Sequence, residues 1–109
     1  MNDKEPALTV TQLNRQVRSW LEQDLGEVNV LGELSNFSKP SSGHFYFTLK
    51  DQTAQLRCVF FRNNHNKTSA QFNDGQQVIA RGKLSLYEAR GDYQLIVQHL
   101  IPAGIGELY

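Results

Sequence analysis

The hydrophobic period of this chain changes once, at Gly26, and that change limits the folds open to it. Before Gly26, the residues Leu13, Val17, Trp20 and Leu21 recur at helical spacing, which predicts a helix from about Thr11 to Leu25. Thr9 or Thr11 can cap its start, and Gly26 stands where a C′ glycine ends a helix. The apolar stripe, Trp20 included, is expected to pack on the rest of the domain. After Gly26, apolar and polar residues alternate in short runs divided by turn-forming residues, as half-buried strands do. One helix followed by strands, in 109 residues, allows a single core.

Five strands follow from the alternation. Val28, Val30, Gly32 and Leu34 share one face of the first, and Gly32 permits a strong bend. The stretch Asn36–Gly43, with its SKPSSG segment, reads as a loop. His44–Lys50 and Gln55–Arg62 are the second and third strands, joined by an Asp51-Gln52-Thr53 turn. Asn63–Asp74 is a polar connection with at most a short helical turn. Gln76–Tyr87 is the fourth strand, with Val78, Ala80, Gly82, Leu84 and Leu86 on one face. A turn around Gly91, from Glu88 to Asp92, leads to the fifth strand, Tyr93–Ile101. Five strands, a glycine-bent first strand and a longer link between the third and fourth match an OB-fold Greek-key barrel, here preceded by one α-helix. The domain is expected to span 8–102, after a lead-in at 1–7 and before a linker at 103–109.

In the strands around the Asp51 turn, alternation separates a core from a ligand face. Phe45, Phe47, Leu49, Leu56, Cys58 and Phe60 fall inward. His44, Tyr46, Thr48, Lys50, Gln55, Arg57, Val59 and Phe61 fall outward. The outward set brings aromatic rings beside cations, a combination suited to stacked bases and their phosphates. Phe37, Tyr46 and Phe61 are the candidate stacking platforms, and Lys39, Lys50, Arg57, Arg62 and Arg90 the candidate phosphate contacts. Plainer placements exist for several of them. Phe61 can be buried under the Asn63–Asp74 connection, Tyr46 can pack beneath the Ser38–Gly43 loop, and His44 can be a surface residue at a strand end.

Charge supports this face only locally. The net charge is zero, which gives no general attraction to a polyanion. Residues 1–34 set three basic side chains against six acidic ones, a net −3, and residues 35–109 carry the compensating +3. Between Ser35 and Phe72 the only acid is Asp51, against Lys39, Lys50, Arg57, Arg62 and Lys67. The competing arrangement is a solvated strand face whose cations are answered by acids nearby in space.

Other chemistry is poorly represented. His44, His65, His99 and Cys58 show no metal-ligand spacing, no acidic pair is placed to hold magnesium, and no nucleophile elbow or phosphate-cradling glycine loop occurs. No cofactor is expected in this segment, and no catalysis by it alone. Arg90-Gly91-Asp92 spells an adhesion tripeptide but reads better as turn chemistry with one exposed cation. Nothing approaches the roughly 18 consecutive apolar residues of a membrane span, and MNDKEPALTV lacks the features of a signal peptide. A single cysteine fits a reducing cytosol, so no membrane contact and a cytoplasmic location are expected.

The run VLGELSNFSKPSSGHFYFTLKDQTAQLRCVFFRN, followed by LYEARGDYQLIV and PAGIGEL, resembles the N-terminal domain of the exodeoxyribonuclease VII large-subunit family. The G-E-[IL]-S-N-F, S-G-H-[WF]-Y-F-T-L-K-D and R-C-x-x-F-R patterns occur without gaps, and the likeness runs from Leu8 onward. Phe45 stands where tryptophan is also familiar, and burial explains that exchange. The resemblance implies an OB-fold domain holding single-stranded DNA for a separate nuclease domain. It implies an enzyme that hydrolyses single-stranded DNA from both ends into oligonucleotides, in DNA repair, in complex with several copies of a small subunit. It assigns a DNA-binding role to Phe61 and Arg62, and it leaves the catalytic residues beyond Tyr109. The alternative is an OB domain that docks on its own catalytic domain or on the small subunit, for which the neutral charge and an apolar Val59 on the outer face argue.

Overall fold

A computed structural model describes residues 6–65 and 71–103. The lead-in before Pro6, Lys67 and the linker from Gly104 onward lie outside the described residues. Helix α1, Val10–Asp24, starts at Thr9, whose Oγ1 accepts from the Gln12 N–H at 3.0 Å while Gln12 Oε1 accepts from the Thr9 N–H at 2.9 Å. This reciprocal box satisfies two orphan donors of the first turn. The helix closes at Leu25, and Gly26 follows with φ +64°.

Five strands then form a closed barrel: β1 (Glu27–Ser38), β2 (Phe45–Lys50), β3 (Gln55–Phe60), β4 (Gln77–Tyr87) and β5 (Asp92–Pro102). The order around the barrel is β1-β2-β3-β5-β4, with β4 returning to β1. All pairs are antiparallel except β3 with β5, which run parallel through Cys58↔Leu95, Val59↔Ile96 and Phe60↔Val97. A four-residue helix, α2 (Arg62–His65), begins the connection to β4. The mainly-β OB-type barrel and its leading helix are thus as the alternation indicates.

Two boundaries differ by more than one residue. β1 runs on to Ser38 instead of ending near Leu34, because a bulge lets it continue pairing with β2: Ser35 lies opposite Thr48 and Ser38 opposite Tyr46. Asn36 takes a left-handed φ of 53° at this bulge, and Asp74 Oδ1 accepts the Phe37 N–H at 2.9 Å. The extra residue changes the facing of the strand, so Phe37 turns toward the core. β3 stops at Phe60, because α2 takes over at Arg62.

The interior is Leu34, Phe47, Leu49, Cys58, Phe60, Phe72, Val78, Ala80, Leu95, Val97 and Leu100. Phe72 comes from the connection expected to be polar, and its ring is 4% exposed. His65 stacks on Phe45 at 3.6 Å between centroids and meets Phe60 edge-on at 5.6 Å. Its Nε2–H donates to the Gly43 carbonyl, tying α2 to the β1–β2 loop. The helix departs from expectation. Val17 and Leu21 are half-buried, but Leu13 and Trp20 are 47% and 54% exposed, because α1 meets the barrel largely through polar contacts described below.

Burial pushes the Cys58 thiol up to about 12. At pH 8 a thiol-specific reagent is therefore expected to label the folded domain about a hundredfold or more slower than the denatured chain, since the thiolate is the reacting species. Equal labelling rates with and without denaturant would show that this strand is open to solvent.

Candidate nucleic-acid interface

The alternation that builds the core from β2 and β3 also aims their other side chains outward in register. Thr48 lies opposite Arg57 and Tyr46 opposite Val59. One step beyond, the His44 ring stands edge-on to Phe61 at 5.1 Å and 88°. Successive rows are about 7 Å apart, so the strip can follow an extended strand. Val59 does face outward, but it is only 4% exposed, flanked by its register partners Tyr46 and Ile96. It offers little apolar surface to a partner protein.

The strip becomes a groove where the β4–β5 hairpin rises beside it. A cavity of about 460 Å³ is lined by Asn36, Tyr46, Thr48 and Arg57 on one side and by Tyr87, Arg90, Asp92, Tyr93 and Gln94 on the other. The turn is closed by the Arg90 and Gly91 N–H groups, which donate to the Tyr87 carbonyl at 3.2 and 2.8 Å. The Arg90 guanidinium lies 5.3 Å from the Tyr87 ring centre. Tyr46, Tyr87 and Tyr93 are each about half exposed. Three tyrosines and two arginines therefore line one cleft. A second, smaller cleft of about 320 Å³ continues from it between Gln55–Arg57 and Gly91–Tyr93, where β3 and β5 are not paired.

Tyr87 and Tyr93 were not among the sequence candidates. The available signal was their placement on either side of the β4–β5 turn, in a loop the OB pattern already assigns to ligands.

The remaining candidates separate into two groups. Phe37, Lys39, His44, Phe61 and Arg62 gather around the β1–β2 loop and α2. There the Phe37 ring packs at 5.2 Å from Phe45 and 5.8 Å from Phe47, and Lys39 Nζ lies 5.5 Å from the Phe37 ring centre and 5.4 Å from that of Phe45. Phe37 is a half-buried wall, less open than its sequence reading implies. Phe61 is 38% exposed, and the backbone N–H of Arg62 donates to His44 Nδ1 at 3.0 Å. Lys50 stands apart. Its ammonium is 3.4 Å from Glu33 across β1, at a different cavity, so its charge is answered locally as the solvated-face alternative holds.

Ion pairing sorts the other cations too. Arg81 pairs with Glu27, Arg18 with Glu22 and Glu88, and Arg15 with Glu88. Hydrogen bonds from Ser85 and then Arg18 hold the Glu22 carboxyl below the usual glutamate range. Among the described residues, Lys39, Arg57, Arg62, Lys83 and Arg90 enter no such pair. Apart from Lys83 on β4, a molecule of zero net charge thus keeps its unanswered cations on the groove and the loop above it, where they can steer an anion. Among the described residues no group of three or more His, Cys, Asp or Glu side chains could hold a metal ion, and no helix is long and apolar enough to cross a membrane.

A closed five-stranded barrel with a basic, tyrosine-lined groove at its β4–β5 hairpin defines an OB-type domain. The chain belongs to the family of OB-fold nucleic acid binding domains, which matches residues 8–101. It is 64% identical over 110 residues to the exodeoxyribonuclease 7 large subunit of Legionella pneumophila (strain Paris), and 50% identical over 109 residues to that of Enterobacter sp. (strain 638). These alignments cover 100% and 99% of the chain, which spans about a quarter of the length of these curated relatives, 25% and 24%. Solved structures share the fold at low identity. A chain of a replication protein A heterotrimer bound to ssDNA superposes with a TM-score of 0.59 at 16% identity, over 73% of this chain and 59% of that one. One from the S. pombe Stn1–Ten1 complex gives 0.60 at 20%, over 71% and 57%.

Proposed function

We propose that this domain binds single-stranded DNA without sequence preference. Within a longer protein of the exodeoxyribonuclease 7 large-subunit type, it would present the strand to a separate nuclease domain that degrades it to oligonucleotides, in complex with a small subunit in the cytoplasm. The observation that carries the reading is the groove in which Tyr46 and Arg57 on one side face Tyr87, Arg90 and Tyr93 on the other. Every base has a π-face, so tyrosine stacking tolerates any sequence, and arginines follow the phosphates. The domain's own part is to hold the strand, and cleavage is assigned elsewhere in the longer chain. Phe61 and Arg62, with Lys39 and His44, extend the same path past the β1–β2 loop, and the resemblance to the large-subunit family favours that extension.

The test is a titration of a labelled oligothymidylate of about 15 nucleotides, within the range of OB site sizes, at several salt concentrations. Affinity is expected to fall with salt, by roughly −0.7 in the log–log slope for each phosphate neutralised. Arg57→Ala should weaken binding and make the slope shallower by about that amount. No binding at low salt, or an Arg57→Ala, Arg90→Ala double variant that binds as tightly as the parent, would sink the groove reading.

Docking onto another protein domain is a second reading. It rests on the exposed apolar side chains of α1, namely Val10, Leu13 and Trp20. It no longer rests on Val59. The two readings use different surfaces and are compatible.

A further inference from the structure

Helix α1 is attached to the barrel in an unusual manner. No residue of the helix is buried, and Val10, Leu13 and Trp20 remain exposed. An amphipathic helix that only completes a core turns such a stripe inward. Here the specific contacts are polar, and they fall on the strand end and hairpin that wall the groove. Asn14 Nδ2–H donates to the Glu88 carbonyl at 2.9 Å. The Asn14 amide also lies flush against the turn, about 3.5 Å from where a side chain on Gly91 would begin. Arg15 and Arg18 both reach the Glu88 carboxylate, at 3.9 and 3.6 Å. Arg18 in turn holds Glu22 at 2.9 Å, and Glu22 accepts from the buried Ser85 hydroxyl.

Ser85, Glu88 and Gly91 thus face the helix, and Tyr87, Arg90 and Tyr93 line the groove. A two-stranded hairpin has little stability of its own in water. Its tip, which extends past the pairing of β4 with β1 and of β5 with β3, is steadied further by contacts from outside the hairpin.

We propose that α1 is a brace for the DNA groove, with Asn14 and Arg18 as positioning residues that hold the β4–β5 hairpin against the bound strand. The proposal rests on the single-strand reading of the groove. Neither residue touches DNA. Both act through Glu88, by fixing the turn that carries the stacking and phosphate-binding side chains. The helix that precedes the barrel therefore belongs to the binding apparatus.

A mutant cycle on the 109-residue chain tests this, read by oligothymidylate affinity and by backbone amide relaxation. Asn14→Ala should weaken binding about three- to tenfold, the range for a lost neutral hydrogen bond. It should leave the salt slope unchanged, because no charge is removed. Combined with Tyr93→Ala on the hairpin, the two losses should fall short of adding. Combined with Arg57→Ala on β3, away from the hairpin, they should add. Without DNA, the amides from Glu88 to Gly91 should become more mobile in Asn14→Ala, and in Glu88→Gln, which keeps the carbonyl but releases the two arginines.

If Arg57→Ala and Tyr93→Ala weaken binding while Asn14→Ala does not, the brace is refuted and the groove stands. If Arg57→Ala and Tyr93→Ala also bind like the parent, the groove reading fails and the brace with it. An Asn14→Ala loss that adds equally with Arg57→Ala and Tyr93→Ala, with unchanged hairpin amides, would reduce α1 to general stability and overturn the proposal.

Discussion

Gly82→Ala is expected to destabilise the domain by about 3 kcal/mol and to lower its melting transition by roughly 10–20 °C. A methyl group at Gly82 would stand 2.1 Å from the Ile96 carbonyl oxygen, 2.9 Å from the Ile96 carbonyl carbon and 3.0 Å from Val97 Cα. All three are backbone atoms, so no rotamer change relieves the clash. The approach is close because β5 carries a bulge here: Arg81 lies opposite His99 but Gly82 opposite Val97, which leaves Gln98 as the extra residue. To make room, β5 would have to move at Ile96 and Val97, the residues that pair with Val59 and Phe60 of β3. Urea denaturation gives the measurement. A loss below about 0.5 kcal/mol, the range of an ordinary surface change, would mean that β5 shifts freely and that the closure is softer than its register implies.

The second large effect is on binding. Tyr46→Ala and Tyr93→Ala together are expected to lower oligothymidylate affinity by about a hundredfold or more, since each lost stack is worth ~1–3 kcal/mol. Tyr46 stands on β2 and Tyr93 at the start of β5, on opposite sides of the groove. Both rings are largely outside the core, so folding should survive the exchange. Neither carries charge, so the salt slope should stay as in the parent while affinity falls. Arginine removal should show the opposite signature, a shallower slope. A double tyrosine variant that binds within threefold of the parent would show that bases do not stack on these rings.

The core face of β2 and β3 was legible because an unbroken period of two leaves no choice of side for Phe45, Phe47, Leu49, Cys58 and Phe60. Phe37 was not, because a bulge at Asn36 reverses facing without disturbing composition, and its register depends on β2 and Asp74. Phe72 was hidden among polar neighbours. One isolated aromatic carries no period, and only the closed barrel supplies the cavity it fills. Lys50 looked like a phosphate contact until strand pairing brought Glu33 beside it. The apolar stripe of α1 is visible in the sequence, but its partial exposure is not, since polar groups at Asn14, Arg18 and Glu22 make the attachment. Tyr87 and Tyr93 flank a turn, where alternation says nothing about function. The groove's phosphate side is visible in sequence; two of its three stacking tyrosines come only from the hairpin's position.

The parallel joint between β3 and β5 also bears on mechanics. It consists of Cys58, Val59 and Phe60 against Leu95, Ile96 and Val97, whereas β4 and β5 stay paired from one end to the other. Below that joint the two strands part, and the cleft between Gln55–Arg57 and Gly91–Tyr93 begins. This is the narrowest seam in the cylinder, and the groove lies directly along it. A strand held by Arg57 on one lip and Tyr93 on the other would act as a suture. The cargo would then stiffen the vessel at the place where it opens most easily.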